Sequence, residues 1–434
     1  MTSKRLLMAI SKILIASIAA LILVPGCWAI TSGKEYKFKG GADGANPQGG
    51  LVSDGAGNFY GTTIAGGRAC SCGTVFKTTL GRDGSWQGSV IYKFKDMPDG
   101  ASPSGNLVFD SAGNLYGTTT SGGLGSGTVF ELSPAQDGMW TESVIYSFDG
   151  DAQGSNPTGV VFDSAGNLYG TNQYGPAPTY VGTVFELTPG QNGVWTENTL
   201  YTFPGGQDGA YPNGVVFDSA GNLFGTTVRG GNLQGPCGGV GYGCGTVFEL
   251  TPSQGGSWTE TILYSFNDSL DGAYPSSGVI FDTAGNLYGE APEGGSLACP
   301  GNGCGVIFKL TPGPNGWSFS IAHTFNGFNG SKGEGPAGGL VFDSAGNMYG
   351  ATFAGGGSTA CNVGGCGTIF KLSPKVGGGF TFSMIGGFNE TDGWYPFAGV
   401  IVDTVGNLYG TTVFGGNPTC NAAEGCGVVF EITP

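Results

Sequence analysis

The five-residue turn Asp-Ser-Ala-Gly-Asn, beginning at Asp110, recurs with small changes at Asp54, Asp163, Asp218, Asp282, Asp343 and Asp403, spaced 53 to 64 residues apart. A period of this length points to one repeated supersecondary unit rather than to independent domains. Each unit carries the same short apolar runs in the same order, four in every unit but the last. In the unit that starts near Gly214 they are GVVFD, NLFGTT, GTVFELTP and WTETILYSF. All are rich in Val, Ile, Thr, Phe and Tyr and are separated by Gly, Pro, Asn or Asp, which predicts strands. No stretch after the leader shows a helical period.

Four strands cannot bury both faces of their sheet, but seven such sheets packed in a ring can. The expected fold is therefore all-β: a seven-bladed β-propeller with four-stranded blades. In each turn, the aspartate accepts backbone hydrogen bonds and the glycine takes the left-handed conformation, joining first and second strands as a hairpin. The turn aspartates are thus expected to be structural rather than calcium ligands, because the spacing lacks further oxygen donors.

Counting strands predicts how the ring closes. The last unit stops after its third strand, GVVFEITP, while a spare fourth-strand sequence, KEYKF, stands at Lys34–Phe38. The N-terminal strand should pair with the C-terminal one and leave no open edge.

The first 29 residues read differently. Lys4, Arg5 and Lys12 precede an uncharged apolar run from Ile13 to Val24, then Pro25, Gly26 and Ala29. This is the layout of a secretory signal, and the run is too short to span a membrane. Cleavage after Ala29 is expected; the alternative is lipid attachment at Cys27, which would make the protein an outer-surface lipoprotein. The propeller then occupies 30–434. Without the leader, 13 basic residues face 31 acidic ones, a net charge of about −18. Such a charge disfavours nucleic acid and anionic membranes as partners.

The pattern GNLYGTT, a glycine-rich loop, GTVF(E/K)LTP and an aromatic-rich fourth strand resembles the GloVer tandem repeat. The resemblance covers nearly the whole chain after the leader. It implies a secreted or surface bacterial β-propeller of undetermined ligand. Such proteins often carry a C-terminal anchor; none is seen before Pro434, so any attachment is expected through Cys27.

Apart from Cys27, ten cysteines fall into five local pairs: Cys70 with Cys72, Cys237 with Cys244, Cys299 with Cys304, Cys361 with Cys366, and Cys420 with Cys426. The second member always precedes the glycine that opens the third strand, and two units lack both members. Residues that come and go in pairs indicate disulfides formed in an oxidising compartment. The pair Cys70 with Cys72 is the awkward one, since a single residue separates its members. Zinc is disfavoured by two thiols per unit and a single histidine, His323.

The connections between units hold a second repeated motif: DGANP, DGASP, QGSNP, DGAYP, DGAYP, EGPAG and DGWYP. They should lie on the face that also carries the loops between second and third strands. Their polar residues, Asp43, Asp99, Gln153, Asp208, Asp271, Glu334 and Asp392, could ring the channel mouth. With Tyr211, Tyr274, Trp394 and Tyr395 they form a candidate binding surface, since aromatic rings stack on sugars while oxygens take hydroxyls. The competing reading makes each Asp-Gly a simple bend.

Catalysis is sought where a unit departs from consensus. Unit five replaces Thr-Thr by Glu290-Ala291 and adds Glu293, which would put two carboxylates near Asp271 for acid-base work or a divalent cation. His323 replaces a repeated tyrosine and reads as packing. Trp86, Trp140, Trp195, Trp258 and Trp317 read as packing between outer strands. Nucleophile elbow, phosphate loop and zinc-protease motifs are absent. No cofactor is expected, and the protein is expected to be monomeric. The expected function is an extracytoplasmic binding module for a carbohydrate or protein at the cell surface. The alternatives are a hydrolase or lyase acting on sugars or lactones, and a structural surface protein.

Overall fold

The computed structural model describes residues 35–434 apart from 68–69, 235–236, 238–241, 268–269, 297–298, 300–301, 328–331, 359, 362–363 and 421–423. The expected leader, with Cys27, lies outside the described residues. Seven antiparallel sheets follow one another as the blades of a propeller. Blade 2 shows the pattern: Gly100–Phe109, Leu115–Gly122, Thr128–Pro134 and Trp140–Ser147 run from the innermost to the outermost strand. In blade 4 the first strand is split into Ala210–Pro212 and Val216–Phe217.

The repeated turn works as its residues predict. Asp110 Oδ1 accepts the N–H groups of Ala112 and Asn114, both at 2.8 Å, and Oδ2 accepts the Asn114 side-chain amide at 2.8 Å. The same three bonds recur in every blade, for example at Asp403. They hold Asp54, Asp282, Asp343 and Asp403 below the usual carboxylate range against the opposing effect of burial.

Two consensus residues explain each other. A Cβ on Gly117, in the second strand, would lie 2.6 Å from the ring of Phe130 on the third, so LYG needs its glycine because GTVF has its phenylalanine. The fourth-strand Phe94 of blade 1 then meets Phe130 of blade 2 edge-on at 5.1 Å. Each of the seven blade interfaces repeats this pair, and each holds one hydrophobic cluster. The core is thus seven walls between blades rather than one central mass. The tryptophans belong to these walls. Trp140 packs on second-strand Tyr60 of the preceding blade at 5.9 Å, so its partner is not an outer strand as expected.

Closure follows the predicted scheme. Glu35–Lys37 pairs with Val428–Ile432, Glu35 opposite Phe430 and Lys37 opposite Val428. Phe38 N–H donates to the Gly427 carbonyl at 3.1 Å, and the fully buried Phe38 ring meets Phe76 of blade 1 at 5.0 Å.

All five cysteine pairs are disulfides, with Cα atoms 5.2 to 5.7 Å apart. Cys237 is bonded to Cys244, Cys299 to Cys304, Cys361 to Cys366 and Cys420 to Cys426. Cys70 is bonded to Cys72 as well, so the pair that its spacing made awkward forms like the rest. Peptide mapping of unreduced, alkylated protein should recover five cross-links, none between blades. Free thiols at Cys237, Cys299, Cys361 or Cys420 would contradict the structure.

Candidate functional site

The upper face is assembled from the chain crossing between blades. Each crossing ends in an Xaa-Pro step, and all seven residues before the proline are left-handed: Asn46, Ser102, Asn156, Tyr211, Tyr274, Gly335 and Tyr395, with φ between 53° and 65°. Asn and Gly tolerate this region, whereas a bulky tyrosine there is strained. One hydrogen bond recurs at every crossing. The backbone N–H donates, at 2.7 to 3.1 Å, to the carbonyl of the residue before the third-strand glycine of the preceding blade. In five crossings that acceptor is the second cysteine of a disulfide. Cys72 holds Ser102, Cys244 holds Tyr274, Cys304 holds Gly335, Cys366 holds Tyr395, and Cys426 holds Asn46 across the closure. Ser126 and Val181 serve the other two. The following proline presses on that glycine: a Cβ on Gly245 would lie 2.6 Å from Pro275 Cδ. The disulfides therefore staple the loops from which the next blade's rim residue hangs.

The acidic residues of the crossings do not ring the channel. They turn outward, toward the fourth strand of the preceding blade. Asp43 accepts the Tyr36 hydroxyl at 2.6 Å and Lys39 N–H at 2.9 Å; Asp99 accepts Tyr92 at 2.9 Å and Lys95 N–H at 3.0 Å. Asp271 accepts the Tyr264 hydroxyl at 2.7 Å. Asp392, only 4% exposed, accepts Asn389 N–H at 2.6 Å. Asp208 lies near Tyr201, whose hydroxyl is pushed up to about 12 by burial and then by the charges of Glu260 and Asp208. Gln153 accepts Asp149 N–H at 3.1 Å. Asp43, Asp99, Gln153, Asp271 and Asp392 thus lock their own turns.

Unit six also needs a different register from the one its EGPAG sequence suggests. Pro336 occupies the site of Pro396, since each packs on the third-strand glycine of the preceding blade, Gly305 and Gly367 respectively. Glu334 therefore corresponds to Trp394, and the aspartate position is filled by Lys332. His323 has taken the matching tyrosine position. Its ring stacks on Phe382 at 4.4 Å, and burial, then the Lys332 charge, pushes its pKa down to about 4. Packing, as expected, is its role.

Glu290, Glu293 and Asp271 are not brought together as a carboxylate pair or triad. Glu290 is fully buried, and its Oε2 accepts Ser277 Oγ–H at 3.1 Å and Gly339 N–H at 2.8 Å across the seam between blades 5 and 6. Oε1 has no partner among the described residues, and burial pushes the carboxyl up to about 7. Glu293 instead accepts the Asn302 amide at 2.8 Å. Among the described residues no group of three or more His, Cys, Asp or Glu side chains is placed to hold a metal ion.

Equivalent rim positions reveal an asymmetry. Blades 1 and 2 present small residues: Ala45, Asn46, Ala65, Ala101, Ser102 and Ser121. Blades 3 to 5 carry Tyr174, Tyr211, Arg229 and Tyr274 at these positions, beside Ser155, Asn156, Ala210, Ala273 and Glu293; blade 6 has Glu334, Gly335 and Ala354, and blade 7 has Trp394, Tyr395 and Phe414. Tyr174 and Tyr211 meet edge-on at 5.6 Å, and the Arg229 guanidinium lies 4.1 Å from the centre of the Tyr274 ring. Trp394 is 6% exposed and packs on Tyr395 and Phe414, so it shapes the surface rather than offering its face. Sequence reading named the tyrosines but missed Tyr174 and Arg229; the signal was their cross-strand register with the residue before Xaa-Pro.

A groove of about 500 Å³ lies at the opposite end, between blades 1 and 2, lined by Asp54, Tyr60, Lys77 and Trp140. Most of these residues belong to the repeat consensus, so it reflects blade packing.

A family model described as the Gloeobacter/Verrucomicrobia repeat matches residues 30–236, 125–364 and 300–434. No curated protein matches the chain. Three solved structures show some similarity to the chain. The extracellular domain assigned to a one-component system, BT4673 of B. thetaiotaomicron, has a TM-score of 0.54 at 11% identity, over 93% of this chain and 42% of that one. An ulvan lyase of polysaccharide lyase family PL25, bound to -[GlcA(1-4)Rha3S]-, has a TM-score of 0.51 at 10% identity, over 88% and 90%. PorZ, a surface component of the type-IX secretion system of Porphyromonas gingivalis, has a TM-score of 0.42 at 12% identity, over 83% and 44%. The chain thus spans less than half the length of two of these three.

Proposed function

The chain belongs to the Gloeobacter/Verrucomicrobia repeat family, and from that premise we propose that it is an exported binding module whose upper face takes a saccharide. The observation that supports this is the set of rim aromatics, which form an arc over blades 3 to 5 and return in blade 7. A structural ring needs seven alike rims, yet here bulky tyrosines occupy three left-handed positions that asparagine or glycine fills without strain. Strained residues of this kind cluster at ligand sites, and rings fixed by backbone and proline lose little freedom on binding. Export fits five disulfides. The ulvan lyase, alike in fold alone, is bound to a saccharide.

A glycan array with the disulfide-bonded protein tests the reading. The triple change Tyr211→Asn, Tyr274→Asn and Tyr395→Asn copies the residue found in blades 1 and 3, so the fold should hold. Each tyrosine lost should weaken binding by about 1–3 kcal/mol. Lys77→Ala, at the lower groove, should change nothing. Binding that survives the triple change would move the site off this face.

A further inference from the structure

Within the aromatic arc one rim position carries a cation. Arg229 ends the second strand of blade 4, Leu223–Arg229, opposite Ala210. The equivalent residues in the other blades are Ala65, Ser121, Tyr174, Glu293, Ala354 and Phe414, so no other blade places a cation there. This chain has 31 acidic and 16 basic residues, and an arginine in such surroundings ordinarily finds a carboxylate. Arg229 has none within ion-pair distance among the described residues. The nearby acids are committed elsewhere: Asp271 to Tyr264, and Glu293 to Asn302. Its guanidinium lies instead over the Tyr274 ring at 4.1 Å.

Stacking of this kind fixes the guanidinium plane while leaving its N–H edges open to a planar or tetrahedral oxyanion. The Tyr274 backbone is left-handed at φ 56° and tied through its N–H to the Cys244 carbonyl at 2.7 Å. On the adjoining seam Tyr211, at φ 60°, hangs from Val181 in the same way and meets the 39%-exposed Tyr174. Aromatic rings on two adjoining seams therefore accompany a cation that has no carboxylate partner among the described residues.

We propose that the arc formed by Tyr174, Tyr211, Arg229 and Tyr274 binds an anionic saccharide, with Arg229 holding a uronate carboxylate or a sulfate ester and the tyrosine rings covering the sugar faces. This rests on the upper face being the saccharide-binding face. It adds the charge of the ligand and the blades that hold it. A neutral sugar would offer the guanidinium only hydroxyl oxygens, whereas an oxyanion replaces its hydration with stronger charge-assisted bonds.

The test is titration calorimetry of the folded, disulfide-bonded protein with three probes: an oligogalacturonate, a sulfated galactan oligosaccharide and an uncharged galactan oligosaccharide. The anionic probes should bind at least tenfold more tightly than the neutral one, with the advantage shrinking as salt rises. The carboxylate and sulfate arms separate the two sources of the oxyanion. Arg229→Gln should remove the advantage without lowering the melting temperature. Arg229→Lys should recover only part of it, because an ammonium neither stacks flat nor binds bidentately. Tyr274→Asn should weaken both anionic probes. Equal binding of charged and neutral probes, or an unchanged affinity in Arg229→Gln, would overturn the charge assignment while leaving upper-face binding intact. Absence of binding to all three probes, together with a blank glycan array, would overturn both.

Discussion

Removing the chain through Phe38 will turn a closed ring into an open one that melts at a much lower temperature and over a broader range. The strand Glu35–Lys37 covers the edge of Val428–Ile432, and Phe38 fills the wall between blades 7 and 1. Without them, both an unpaired edge and buried apolar residues such as Val429 and Phe76 meet water. The substitution Phe38→Ala isolates the packing part: a fully buried phenylalanine truncated in a wall should cost about 3–5 kcal/mol. Calorimetry checks both. A deletion variant that melts like the parent would show that blade 7 does not need the N-terminal strand.

Acidification from pH 8 to pH 5 should stabilise the protein, contrary to the habit of carboxylate-rich domains. Burial raises Glu290 to about 7. Glu142 and Glu260 are also raised to about 7, by burial first and then by the charges of Asp99 and Asp208. These two line the outer seams, where the Tyr92 hydroxyl lies 2.9 Å from Asp99 and 3.3 Å from Glu142. For an acid whose folded pKa lies above its unfolded value, the stabilisation is fully present below the unfolded pKa, near 4.5. It is lost as pH rises through about 7. The fully buried Glu290 contributes about 3 kcal/mol across that window; Glu142 and Glu260, partly open to solvent, contribute less. Below about pH 4 the turn aspartates act in the opposite direction, because their lowered pKa values give stability that is lost on protonation. His323, whose folded pKa is lowered to about 4, opposes the glutamates between about pH 6.5 and 4, so the melting temperature should peak at about pH 5. Glu290→Gln should raise stability at pH 8 and flatten the slope between pH 5 and 8. A parent whose melting temperature does not change over that range would show that Glu290 is solvated.

The blade count, the hairpins and the closing strand were legible because they are periodic: each residue type recurs wherever its geometry does. The disulfides were legible for the same reason, as paired presence and absence. What the cysteines could not announce is the second task of Cys72, Cys244, Cys304, Cys366 and Cys426, whose carbonyls each hold the next blade's rim, because a backbone acceptor leaves no mark on residue type. The rim was only partly legible. Proline ordinarily drives the residue before it into extended backbone, so seven left-handed Xaa-Pro steps carry no local signature. The outward turn of the aspartates did leave a trace: Tyr36 and Asp43, Tyr92 and Asp99, and Tyr264 and Asp271 are each seven residues apart. Unit six was misaligned on its acidic residue because the anchor is the proline, and Lys332 with His323 replaces the Asp-Tyr pair as a unit. Glu290 was singled out as a departure from consensus, but a sequence does not say on which side of a strand its neighbours stand. The side chain enters the seam with Ser277 and Gly339, away from Glu293.

The offset between repeat and blade gives the ring a check on completeness. During synthesis the strand Glu35–Lys37 waits for Val428–Ile432, so a product cut short between them cannot satisfy it. A chain released before Val428 would keep its early blades but present their free edges as unfinished. Only when both segments exist are the two hidden in one sheet, and resistance to proteolysis becomes a readout of a finished ring.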